Sequence, residues 1–182
     1  MKKYSIPLVL LSIFFFACSK SDSGGSGSSF QAKINGTSYN FNLETSHLLR
    51  STVTNEKRLD FSGTSTDGTI KLVVTLGEQS STGNGMSIKL YKIQLFNEDN
   101  PSTTEDESLD SDDGFITYGS KVGSNFVFGV YAEKGSMRVS ACNESAKTIS
   151  GTFECTLTDL NNNNVITISE GKFNNISYTV IN

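Results

Sequence analysis

The sequence predicts an all-β domain, a mostly antiparallel β-sandwich with a β-barrel as the alternative. Three observations carry that class. Turn signals rich in Gly, Asn, Asp and Ser recur about every ten residues, the spacing of short strands joined by hairpins. Composition favours strands: 12 Phe and 6 Tyr are spread among Val, Ile and Thr, while Pro is scarce at 2 residues. No stretch of convincing length carries the 3.6-residue period of an amphipathic helix.

The elements follow in order. Phe30 to Ile34 alternates apolar and polar, Asn35-Gly36 follows, and Thr37 to Phe41 alternates again. Asn-Gly between alternating runs predicts a type I′ hairpin, because both central residues need positive φ. His47–Val53 and Arg58–Ser65 read as strands around a polar turn, and Asp67-Gly68 leads into the β-rich run Ile70–Leu76. Met86–Phe96 reads as a strand with Ile88, Leu90, Ile93 and Leu95 in the core. Its change of parity predicts a bulge near Tyr91 or Lys92. Phe115–Tyr118 and Asn125–Ala132 come next, and Glu133-Lys134-Gly135 is expected to turn the chain into Met137–Ala141. Thr148–Leu157, Val165–Ser169 and Phe173–Ile181 complete the domain.

Of the 182 residues, Phe30 to Asn182 supply 153 for one β domain. A chain of that length buries roughly 70% of its unfolded surface, so a core needs no metal or disulfide. Eight of the 19 acidic residues lie between Glu98 and Asp113, where no Lys or Arg occurs. Outside that stretch, and without Lys2 and Lys3, 13 basic residues stand against 11 acidic ones, so the domain body is close to neutral. That balance lacks the basic footprint of a nucleic-acid binder.

The N-terminus has Lys2 and Lys3, a short apolar run from Ile6 to Ala17, and then Cys18. About twelve apolar residues fall short of the about 20 needed to span a bilayer, and the arrangement is that of a secretory signal peptide over 1–17. Ala17-Cys18 resembles a bacterial lipobox, with Phe15 and Phe16 departing from its preferred residues. Lipidation of Cys18 is therefore expected, with an ordinary signal peptide as the alternative. Ser19 to Ser29 contains no apolar residue. With Cys18 it forms a tether over 18–29 whose Gly/Ser composition makes it a flexible coil. The expected location is the cell envelope, on the outer membrane, with the periplasmic and surface faces both open.

Phe30-x-Ala32-x-Ile34-Asn35-Gly36 opens the domain, and Thr148-Ile-Ser-Gly-Thr-Phe153 and Ile166-Thr-Ile-Ser-Glu-Gly-Lys-Phe173 stand near its end. Together they resemble a family of small Bacteroidota lipoproteins that carry a domain of unknown function. The resemblance spans most of 30–182 and is clear at the two ends. It implies an exported lipoprotein with an all-β fold and carries over no catalytic residue. Glu170 stands where the family pattern has Asn. Gly151 and Gly171 read as bulge or turn positions, with Phe153 and Phe173 as core plugs beside them.

Candidate chemistry is sparse. Asp110, Asp112 and Asp113 precede Gly114, a hard-oxygen cluster of the kind Ca²⁺ prefers, although the spacing is not that of an EF-hand. The competing reading is a solvated, self-repelling loop. His47 is the only histidine, which leaves a zinc site or a His-based dyad short of parts. Glu44, Asp60, Glu133 and Glu154 would have to meet in space to serve glycoside hydrolysis. Cys142 and Cys155 become an even pair once Cys18 carries lipid, and their spacing suits a hairpin. Strict pairing would not set them opposite each other, so the expected disulfide needs an offset; two separate buried thiols are the alternative. The functional expectation is a non-enzymatic, membrane-anchored binding or envelope protein with no cofactor and a protein or glycan partner. The alternatives are an exported hydrolase and a Ca²⁺-dependent binding module.

Overall fold

The computed structural model describes residues 29–94, 113–159 and 164–182. Cys18, Asp110 and Asp112, together with the linker, lie outside them. The described residues form ten strands: β1 (Ser29–Ile34), β2 (Thr37–Ser51), β3 (Glu56–Ser65), β4 (Ile70–Glu78), β5 (Leu90–Gln94), β6 (Asp113–Val122), β7 (Asn125–Asn143), β8 (Thr148–Asp159), β9 (Val165–Ser177) and β10 (Thr179–Ile181). The all-β, mostly antiparallel class therefore holds. All ten strands belong to one sheet instead of the two separate sheets of a sandwich.

That sheet closes on itself. Successive long strands pair antiparallel from β1 to β4 and from β6 to β9, β4 pairs with β6, and β9 returns to pair with β1. Two short strands interrupt the ring, so it is not a regular barrel. β5 wedges between β6 and β7 where they splay, parallel to the first and antiparallel to the second. β10 continues the line of β9 beyond the start of β1 and pairs directly, in parallel, with β2.

Alternation dictates what faces inward. Ile70, Leu72, Val74, Leu76 and Glu78 of β4 are all buried, with half-buried residues between them. Phenylalanines fill the interior, with ring centroids 4.9 Å apart for Phe30–Phe41, 5.4 Å for Phe30–Phe61 and 5.2 Å for Phe61–Phe173. The predicted hairpin is present, with Asn35 at φ 48° and Gly36 at φ 81°.

Several local expectations change. β2 is one strand across two predicted runs, interrupted by a register shift between Leu43 and Thr45. Glu133-Lys134-Gly135 does not turn the chain; β7 runs through it, with a shift between Ala132 and Lys134. Ile88 and Leu90 are exposed, whereas Tyr91 and Ile93 are buried. The parity change had a simpler origin than a bulge: the first two apolar residues face outward, and β5 pairs with β7 in even register from Leu90 to Gln94.

Candidate binding face

A trough lies on the outside of β7, β8 and β9. Gly135 faces Cys155, and an added Cβ there would meet Glu154 O at 2.3 Å; at Gly171 it would meet Phe153 O at 2.5 Å. Both glycines stand on the inward-facing rows of their strands, opposite the buried Cys155 and Phe153, and make room for those side chains in the interior. One depression of about 440 Å³ is lined by Ser136, Arg138, Thr152, Glu154, Glu170 and Lys172, among others. A second, of about 350 Å³, adjoins it at Glu154 and adds Lys134, Thr156, Thr167 and Ser169.

Register places the charges. Arg138 pairs opposite Thr152, and Thr152 opposite Lys172, so the two cations flank a threonine on one cross-strand row. Strands sit about 4.8 Å apart, which puts the two backbones roughly 10 Å from each other. Lys134 stands on β7 four residues before Arg138, about 13 Å along the strand. Lys92 of β5 lies opposite Ser136. Glu170 is held aside by Lys33 at 2.6 Å. Among the described residues, Lys92, Lys134, Arg138 and Lys172 take part in no ion pair. Hydroxyls of Ser136, Thr152, Thr156, Thr167 and Ser169 line the hollow between them.

Among the described side chains, which do not include that of Glu133, the candidates read from sequence do not assemble into one site. Asp113 opens β6, its backbone paired with Lys92. Asp110 and Asp112 lie outside the described residues, and among those described no group of three His, Cys, Asp or Glu side chains is placed to hold a metal ion. Glu44 is engaged by Lys71 and Thr64 on the outside of β2. Asp60 of β3 accepts from Arg58 at 2.8 Å and Thr75 at 2.6 Å. Glu154 stands in the trough of β8, apart from both. His47 lies on β2 opposite Asp60, half-buried, with no hydrogen-bond partner at Nδ1.

The expected disulfide is a correction. Both thiols are free. Cys142 pairs opposite Ile149, whereas Cys155 pairs opposite Gly135, seven residues away along β7. The hairpin ladder therefore separates the two thiols well beyond bonding range. Burial, with a smaller contribution from Glu154, pushes the Cys155 thiol up to about 12. Cys142 Sγ lies 3.6 Å from the Tyr178 hydroxyl, which donates to Asn84 O at 2.7 Å.

Sequence reading missed a buried charge cluster. Lys57 and Glu78 form an ion pair at 2.9 Å with side chains only 7% and 3% exposed. The Tyr91 hydroxyl donates to Glu78, and the Ser87 amide donates to the same carboxylate at 2.6 Å. Lys57 also donates to Thr82 O at 3.0 Å. The cluster thereby fastens segment 79–89 across one end of the sheet. Glu78 closing the apolar β4 run was the available signal.

No family model, curated protein or solved structure matches the chain. Among the described residues no helix is long and apolar enough to cross a membrane.

Proposed function

We propose that this chain is an exported, lipid-anchored, non-enzymatic binding protein of the cell envelope, attached to the outer membrane through Cys18 and akin to the Bacteroidota lipoproteins its end motifs resemble. The observation that carries the reading is the filled interior. Phe30, Phe61, Phe153 and Phe173 occupy the middle of the closed sheet, so recognition falls to its outer surface. The carboxylates Glu44 and Asp60 are each engaged by a neighbouring cation, an arrangement that favours structural ion pairs over an acid and a base facing one substrate. A Gly/Ser linker before β1 suits a domain held off a surface.

Fractionation of cells tests the anchor. The wild-type chain is expected in the membrane fraction, and mass spectrometry should show a mature N-terminus at Cys18 bearing acyl chains. The Cys18→Ala chain should leave that fraction. A soluble wild-type protein that begins at another residue would defeat the reading.

A further inference from the structure

We propose that the trough on β7, β8 and β9 is a binding site for an acidic oligosaccharide, a uronate-type chain of a few sugar units. This rests on the reading of the protein as a non-catalytic binding protein and names the ligand class of its outer face. Four observations lead there. First, two depressions adjoin at Glu154 on one outer face of β7, β8 and β9. The combined space of two depressions of about 440 and 350 Å³ falls in the size range of small-ligand sites.

Second, the cations are placed around the hollow and are not consumed by it. Arg138 and Lys172 face each other across Thr152, with Lys134 toward the far end. None of the three has an ion-pair partner among the described residues, whereas Lys33 is engaged with Glu170. Arg at such a position offers a planar fork matched to a carboxylate, and Lys a compact charge. Third, hydroxyls of Ser136, Thr152 and Thr156 lie between the cations with the carboxylate of Glu154, beside the apolar Leu90 and the Glu170 that Lys33 engages. A hydroxyl-rich ligand donates to that carboxylate and exchanges hydrogen bonds with Ser136, Thr152 and Thr156, while its own carboxylates sit toward the cations. A uniformly anionic strip would meet Glu154 with repulsion.

Fourth, the strand pairing disfavours an extended peptide. Peptides that bind β proteins commonly add a strand to an exposed sheet edge. Here β7, β8, β9 and β1 are paired on both sides, and β10, with three residues, is the strand whose outer edge is left open among those described. A ligand on this face must be held by side chains, which suits a saccharide.

The test uses the full-length lipoprotein purified in detergent, titrated calorimetrically with a short oligogalacturonate. A neutral malto-oligosaccharide and an oligoglutamate of equal charge serve as comparisons. Saturable binding of the oligogalacturonate is expected, with the neutral sugar and the oligoglutamate at least about tenfold weaker. Arg138→Gln combined with Lys172→Gln should weaken binding about tenfold or more, while Lys121→Gln, on β6, should leave it unchanged. Thr152→Tyr fills the hollow without removing charge and should also abolish most binding. All these side chains are exposed, and unchanged thermal midpoints would exclude a folding defect. Three results would overturn the proposal: no saturable binding at millimolar oligogalacturonate, oligoglutamate binding as tightly, or Thr152→Tyr binding as well as wild type. Membrane fractionation of the Arg138→Gln/Lys172→Gln chain should match wild type, so failure here is separable from failure of the anchor.

Discussion

Two glycine–phenylalanine pairs set the distance between β8 and β9. Gly151 pairs opposite Phe173, and Phe153 opposite Gly171. An added Cβ would approach the Phe173 ring to 2.3 Å in the first pair and the Phe153 ring to 2.7 Å in the second. Neither glycine has positive φ. Space, and not backbone freedom, is what each provides, which refines the turn-or-bulge expectation from sequence. Overpacking of this kind costs about 1–3 kcal/mol. Gly151→Ala should lower the urea midpoint accordingly with little change in slope. Glu170 illustrates the opposite case. It sits at φ 50°, a conformation that costs most L-residues about 1–2 kcal/mol and that Asn tolerates better. Its ion pair with Lys33 is exposed, with Glu170 at 67%, and such pairs contribute about 0–1 kcal/mol. Glu170→Asn should therefore raise stability modestly, by up to about 1 kcal/mol, read from the same denaturation curves.

At the scale of elements, segment 79–89 depends on a buried ion pair. Burial on its own would raise the Glu78 carboxyl, but hydrogen bonds from Tyr91, Lys57 and the Ser87 amide outweigh it and hold the group below its ordinary value of 4.5. The folded-state pKa is thus depressed. Its contribution to stability is present above about pH 4.5 and is lost as pH falls through the lower folded value. Glu78→Leu should abolish that part of the acid dependence and cost about 3–5 kcal/mol, since Lys57 is left buried without a counter-charge. Lys57→Met/Glu78→Leu should regain most of the loss, a coupling that a double-mutant cycle measures. Little of this element was legible in advance, because Lys57 and Glu78 are 21 positions apart and meet only through the β3–β4 ladder, where they are direct partners. The Asn35-Gly36 hairpin, by contrast, is written in adjacent residues. The trough follows the same rule. Sequence reading weighs runs of charge and so settles on the acidic stretch from Glu98, whereas Lys134, Arg138 and Lys172 come together only through register shifts at Lys134, Ala141 and Cys155.

For the whole molecule, closure is the property on which the rest depends. Without β1, Thr37–Asn40 of β2 and Ile168–Asn174 of β9 would be open edges, because β1 pairs with both. Its buried residues Phe30, Ala32 and Ile34 also plug the interior against Phe41, Phe61 and Phe153. Burying a Phe or an Ile is worth about 1.5–3 kcal/mol each. Loss of the strand therefore removes several kcal/mol from a domain whose whole stability is expected to be about 5–15 kcal/mol. It also exposes two unpaired edges, which template association between chains. Deleting the linker as far as residue 28 removes neither contact and should leave the cooperative unfolding transition unchanged. Deleting through Gly36 should give a chain that aggregates or shows no cooperative transition by circular dichroism. A monomeric, cooperatively folded product of the longer deletion would mean that the β2–β10 pairing closes the sheet without β1.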